Sequence, residues 1–382
     1  MFKRPRWHAD TTATTRKAAL TPNLPTIDEL LADTQTARAS DLHLKAGIPP
    51  VIRVDGDLST LPQPPLTETE VESYLDAVMP DRLRVEFKEH HEADFAYGAP
   101  DGGRYRVNAF RQRGNVTIAL RALRPPTGDF ASLGLPPVLT RLAAVHRGLI
   151  LVTGPTGAGK STTLAALVDW INSNRRVNII TVEDPIEFVH RDKMAMVSQR
   201  EVGVDTGSFG EAMRRVLRQD PDVILIGEMR DAATIDAALK AAETGHLVLS
   251  SLHTLNATET INRILDFFPA EHQRQIRLLL AGSLQAILSQ RLIPTLAGGR
   301  VPAVEVLVNN DRVAERIADP VRTHEIPDVI ADGSYYGMET FDQAILRLAG
   351  NGSITFDEAM LNATNPGDLK LRAQQLGLIE AK

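Results

Sequence analysis

The chain has 382 residues, 43% hydrophobic and 24% charged, which leaves room for two or three globular domains and a sizeable core. A net charge of −6 excludes an electrostatic nucleic-acid binder acting through the whole chain, and zero cysteines exclude disulfides and thiolate zinc sites. No stretch reaches the roughly 18 apolar residues of a membrane span, so any membrane association is expected to run through partners.

Residues 1–25 are Thr-rich and basic, with Lys3, Arg4, Arg6, Arg16 and Lys17 against Asp10. No apolar core follows the basic start, which argues against a secretory signal. The reading is a disordered tail, with acidic lipid as an alternative contact. Residues 26–123 read as a small α+β domain. A helix is predicted over Ile27–Arg38, a half-buried strand over Ala39–Leu44, and a hairpin of Val51–Val54 and Asp57–Leu58 around Asp55-Gly56. An amphipathic helix follows over Thr67–Met79, then two strands in Arg104–Leu123 joined near Arg113-Gly114-Asn115. This last stretch and the next residue hold Arg104, Arg106, Arg111, Arg113, Arg121 and Arg124 without an acid. Either they form a solvated sheet face or, as a group, they face an anionic partner. Only Tyr105 and Phe110 are there to stack on bases, so nucleic acid is the weaker candidate and nucleotide phosphate the other.

Residues 124–134, opening Arg124-Pro125-Pro126-Thr127-Gly128, read as a linker. From 135 to 308 strands alternate with helices, the pattern of a mostly parallel sheet covered on both faces. Leu135–Ala144 is a predicted helix, and Gly148–Thr153 a buried strand. Gly154-Pro155-Thr156-Gly157-Ala158-Gly159-Lys160-Ser161 follows, then a helix over Thr162–Ile171. This is G-x-x-x-x-G-K-[ST] in its required strand–loop–helix setting, a phosphate-binding loop. Its backbone N–H groups would cradle phosphates with Thr162 at their edge, Lys160 would reach the β- and γ-phosphates, and Ser161 would hold Mg²⁺. Further strands are predicted at Val177–Val182, Met194–Gln199, Val223–Ile226 and Leu247–Ser251. The helices between and after them are Phe209–Leu217, Ala232–Glu243, Ala257–Leu265 and Gln273–Leu280. Ile287–Ile293 and Val301–Val308 are an expected antiparallel pair. Residues 309–382 read as helices, with Thr355 capping one of them.

Phosphoryl transfer to water needs a group to orient the water and positive charge for the developing phosphoryl oxygens. Glu228 ends an apolar strand where ligands bind in open α/β sheets, and it is the first candidate to polarise the water. A surface salt bridge with Arg230 is the alternative. Glu183 ends a second strand and is the candidate for Mg²⁺-bound water or for assisting Glu228. Asp184 is a candidate turn cap before Pro185, and turn chemistry for Glu183, Asp184 and Glu187 alike is the alternative. His253 lies at the carboxyl end of the third strand, within reach of a γ-phosphate. His246 lies at its other end and is harder to place.

Ordered motifs now carry a resemblance: Ala39–Leu44, Gly154–Thr162, Val182–Phe188, Gln199–Phe209, Leu217–Asp231 and Ala242–Thr254. Together they resemble the type II/IV secretion ATPases, most closely the type IV pilus retraction branch. The resemblance runs from about residue 27 to about residue 349. It implies an α/β fold with a RecA-like P-loop core, a PAS-like N-terminal domain and C-terminal helices. It implies ATP and Mg²⁺ as cofactors, a homo-hexamer, and hydrolysis that drives pilus retraction through an inner-membrane platform protein. A second pilus motor ATPase is a further candidate partner. A cytoplasmic location at the inner face of the membrane follows, with no stable nucleic-acid partner. In this family Glu183 falls in an acidic box, Glu228 in the Walker B box and both histidines in a histidine box. Arginines of the N-terminal domain approach the phosphates, with Arg106, Arg111, Arg113 and Arg121 as the positions to test. One segment departs: the family's helix close to Ala-Ile-Arg-Asn-Leu-Ile-Arg-Glu is here Arg312–Asp319. That keeps an accessory or secretion motor as the alternative, and a nucleic-acid translocase as the alternative of another class.

Overall fold

Two β-sheets organise the computed structural model, which describes residues 25–54, 56–100, 103–123 and 128–379. The chain divides in sequence between Leu123 and Arg124 into two compact units. The expected tail, except for Pro25, lies outside the described residues, as do Arg124 and most of the turn that opens the linker.

In the first unit, helices α1 (Ile27–Thr36) and α2 (Glu68–Val78) flank strands β1 (Asp41–Lys45), β2 (Val51–Val54) and β3 (Asp57–Thr60) in sequence. Both helices start in capping boxes: Thr26 and Thr67 accept from the backbone of Glu29 and Glu70, whose carboxylates accept in return. Ile27, Leu30 and Leu31 on α1, and Val71, Tyr74, Leu75 and Val78 on α2, recur at helical spacing and are buried. Helix α3 (Arg84–His90) and strand β4 (Glu92–Gly98) fill a stretch unassigned from sequence. Strands β5 (Arg104–Gln112) and β6 (Asn115–Leu123) form the expected hairpin. The sheet is antiparallel, in the order β3-β2-β1-β6-β5-β4. Tyr105, Val107 and Ala109 point into the core with Leu42, Leu44, Ile118 and Leu120.

The second unit opens with α4 (Val138–Ala143), shorter than predicted, and β7 (Gly148–Thr153), buried at every residue. Then come α5 (Lys160–Asn174), β8 (Asn178–Glu183), β9 (Met196–Glu201), α6 (Phe209–Val216), β10 (Val223–Ile226), α7 (Ala232–Glu243) and β11 (Leu247–Leu252). Helices α8 (Ala257–Asp266) and α9 (Ala270–Ser283) lead to β12 (Leu284–Pro294) and β13 (Arg300–Val308). The sheet order is β13-β12-β7-β11-β10-β8-β9, parallel except for the β12–β13 hairpin. The α/β class expected from sequence holds. Apolar clusters cover both faces: Leu167, Val168 and Ile171 of α5 on one, and Ile235, Leu239, Ile261 and Ile264 on the other.

Among the described residues five α-helices follow: α10 (Asp311–Ala318), α11 (Ile326–Ala331), α12 (Phe341–Gly350), α13 (Phe356–Asn362) and α14 (Pro366–Gln375). Thr355 caps α13 as expected, accepting from Glu358 N–H at 3.1 Å. The last three pack with Ile293 and Ala303 of the hairpin, where the Arg291 guanidinium lies 3.9 Å from the Phe341 ring centre. The divergent helix α10 is firmly seated. Val313 and Ile317 are buried, and Arg316 and Arg322 both bridge Glu315 and Glu325.

Candidate nucleotide-phosphate site

The carboxyl ends of β7, β8, β10 and β11 converge on one edge of the parallel sheet, where open α/β folds bind ligands. A cleft of about 610 Å³ opens there, lined among others by Lys160, Ser161, Glu183, Glu228, Arg230 and His253.

The loop from Gly154 to Gly159 is built by backbone constraints. Gly154 has φ 142°, and a Cβ there would lie 2.5 Å from the Gln290 carbonyl. Gly159 is left-handed (φ 88°) and precedes α5 without a side-chain cap. The start of α5 therefore has no capping side chain, and its first residues, Lys160, Ser161 and Thr162, line the cleft at the helix's partial positive end. Those features fit a phosphate group. The loop is tied to β12 on both sides: Thr153 Oγ1 donates to Ser289 Oγ at 2.9 Å and Gln290 Nε2 donates to Thr163 Oγ1 at 2.9 Å.

Lys160 Nζ donates to the carbonyls of Gly154 (2.8 Å) and Pro155 (3.1 Å) and lies 3.4 Å from His253 Nδ1. Burial pushes its pKa down, opposed by the charges of Glu228 and Glu187. Glu228 accepts from Arg230 Nε at 2.9 Å and lies 3.4 Å from His253 Nε2. The salt bridge weighed from sequence thus exists, but inside the cleft, with the second carboxylate oxygen turned to His253. Arg230 also reaches Asp184, at 3.5 Å. Glu183 Oε1 accepts from the Thr181 hydroxyl (2.7 Å) and from Gln199 Nε2 (3.0 Å). Burial pushes its pKa up; those two bonds and one from the Glu187 backbone pull the other way, and the Glu187 charge adds to the rise. Ser161 and Thr162, on the first turn of α5, line the cleft beside Lys160.

The arrangement brings Lys160, the start of α5, two carboxylates (Glu183 and Glu228) and His253 to one cleft, a set of groups suited to a phosphate chain. Among the described residues no group of three or more His, Asp or Glu side chains is placed to hold a metal unaided. A divalent cation here would take Ser161 and an acid, with phosphate and water completing its shell. Residues unforeseen from sequence also line the cleft: Leu292, Arg300, Phe188 and His190. His190 is buried, which drives its pKa down to about 4.

His246 sits at the opposite edge of the sheet, its Nδ1 3.0 Å from the Ala241 carbonyl, lining a separate cavity with Arg175 and Arg176. The arginines of the first unit do not form one cluster. Arg106 and Arg121 are cross-strand neighbours on the outward face, in a row that continues through Asp41 to Arg53. Arg121 Nε donates to Asp41 at 2.9 Å. Arg111 lies on the helix side, over the Phe87 ring and bonded to the Gly114 carbonyl at 2.7 Å. Arg113 sits in the hairpin turn with φ 52°. Alternation along the strands separates them, because side chains one residue apart take opposite faces.

The chain is 45% identical to the type IV pilus retraction ATPase PilT of Pseudomonas aeruginosa over 340 residues, covering 89% of this chain and 98% of that protein. It is 42% identical to the type IV pilus ATPase PilU of the same organism, covering 87% of each. The crystal structure of the pilus retraction motor PilT with bound ADP superposes with a TM-score of 0.83 at 44% identity, over 91% of this chain and all (100%) of that one. The model for the family described as type II/IV secretion system protein matches residues 17–333, which span the phosphate loop and every acid of the cleft, and the chain belongs to that family.

Proposed function

We propose that the chain is an ATP-hydrolysing motor subunit that drives type IV pilus retraction. The observation that carries this reading is an intact phosphate loop facing Glu228 and Glu183, in a chain that covers 98% of the retraction ATPase PilT at 45% identity. Bound ATP and Mg²⁺ would supply the phosphoryl group and neutralise its charge. The chain's own residues do the rest. Lys160 and the α5 amides bind and orient the phosphates. Ser161 and, through water, Glu183 hold the cation. Glu228 orients and deprotonates the attacking water, and His253 reports on the γ-phosphate position. The motor works as a homo-hexamer and acts on the pilus through a membrane platform protein. Among the described residues no helix is long and apolar enough to cross a membrane.

Arginines of the first unit are proposed to supply charge to phosphates in the assembled ring. Arg106 is the informative position because it is exposed on the open sheet face. Arg106→Ala is expected to lower turnover by at least about tenfold without moving the melting temperature. Arg111→Ala loses a bond and a ring contact, and is expected to cost about 1 kcal/mol of stability. Phosphate release and thermal melting on both variants separate the two roles.

A second reading is an accessory pilus motor, and the similarity to the type IV pilus ATPase PilU, close to that to PilT, leaves more than one pilus ATPase as a relative. A clean deletion decides between them. Loss of the retraction motor leaves cells with excess surface pili and no twitching. Normal piliation and motility would refute the retraction role, and retained motility with weakened retraction would favour the accessory one.

A further inference from the structure

Strand β9 is an edge strand of the second sheet, and its parallel register places Gln199 beside Thr181. From there one amide makes three hydrogen bonds. Its Nε2 donates to Glu183 Oε1 at 3.0 Å and to the Phe188 carbonyl at 2.8 Å, and its Oε1 accepts from His190 N–H at 2.8 Å. The partners fix the amide's orientation: turned over, it would set an oxygen against a carboxylate and a carbonyl, and an NH₂ against an N–H. Phe188 and His190 belong to the segment after β8, which lines the cleft together with Asp184 and Glu187. Further back, the segment is held by Glu201, which accepts from Ile186 N–H at 3.3 Å. Gln199 therefore bonds both to the carboxylate at the end of β8 and to the lip of the cleft beyond it.

We propose that Gln199 is a positioning residue that aims Glu183 into the cleft and locks residues 187–190 against β9. Its effect on turnover rests on the proposed role of Glu183; its hold on the segment does not. Thr181 supplies the second donor to the same oxygen but touches only Glu183 among these partners. The two donors thus separate aiming the carboxylate from locking the lip.

The test uses the full-length chain. In Gln199→Leu, amide exchange at His190 is expected to accelerate by at least about tenfold, because its acceptor is gone. The kcat is expected to fall by about 10- to 100-fold, while KM and ADP affinity stay within about threefold because the phosphate loop is untouched. In Thr181→Val, kcat falls and His190 exchange is unchanged. Unchanged His190 exchange in Gln199→Leu overturns the proposal, and so does an effect confined to KM. If the leucine variant does not fold, Gln199→Met keeps the side-chain length and is read in the same way. Normal turnover in Glu183→Gln would remove the role of Glu183, yet His190 exchange would still decide whether Gln199 holds the segment.

Discussion

Glu228→Gln is expected to cut ATP turnover by about 100-fold or more while nucleotide affinity stays within a few-fold of the parent chain. The side chain is mostly enclosed and sits between two groups, Arg230 Nε at 2.9 Å and His253 Nε2 at 3.4 Å. Glutamine keeps the shape and can still accept from Arg230, so the cleft should retain its form. What it loses is the capacity to take a proton from water and the charge that orients it. The phosphate loop, which carries binding, lies on β7 and α5 and is left alone. Single-turnover phosphate release, set beside equilibrium binding of a fluorescent nucleotide, reads the two quantities separately. Turnover near the parent rate would assign the water to another group, with Glu183 next in line. Loss of binding would instead show that Glu228 holds the cleft together through Arg230.

Much of this site is legible in the sequence because its elements are short and self-declaring. Val223–Ile226 and Gly148–Thr153 are unbroken apolar runs with the chemistry placed directly after them, so strand ends located Glu228 and the loop. Sheet pairing is less visible, and it is where the expectations needed the structure. Gln199 matters because β9 runs parallel to β8 in one particular register, which no local pattern encodes. The arginines look like a group in sequence, yet Arg111 faces the helices while Arg106 faces outward. Helix α3 escaped notice because it buries a single large side chain, Phe87, among charged neighbours. Its successor β4 hides its alternation of Ala93 and Phe95 among acids. Helix α10 shows the reverse case. Its sequence departs from the family pattern, but the two apolar positions that seat it, Val313 and Ile317, coincide with the pattern's two isoleucines. The differences include Arg316, which stands where the pattern has leucine and whose mostly enclosed guanidinium pairs with Glu315 and Glu325.

Lys160→Ala is expected to weaken nucleotide binding by on the order of 100-fold, the loss of one or two charge-assisted bonds to phosphate, and to abolish measurable turnover. The same variant is expected to leave nucleotide-free stability within about 1 kcal/mol of the parent, because two opposing effects of similar size nearly cancel. Burial lowers the pKa of Lys160, so the folded chain holds this ammonium at a cost that Glu228 and Glu187 only offset. A lysine whose folded pKa lies below its unfolded value penalises the folded state at neutral pH, and the penalty fades as pH rises toward the unfolded pKa. Removing the ammonium relieves that penalty. It also forfeits the two bonds to the Gly154 and Pro155 carbonyls, which are the opposing loss. A phosphate would give the half-buried cation an anionic partner at close range, so part of that cost is offset in the bound state and counts toward affinity. Melting curves with and without ADP test both halves. The parent should gain stability as the logarithm of ligand concentration over Kd, and the variant should show the parent's ligand-free melting point with almost no ligand-dependent gain. A variant several kilocalories less stable without ligand would mean that Lys160 is chiefly a strut for its own loop, and a preserved ADP shift would mean that the α5 amides bind phosphate without it.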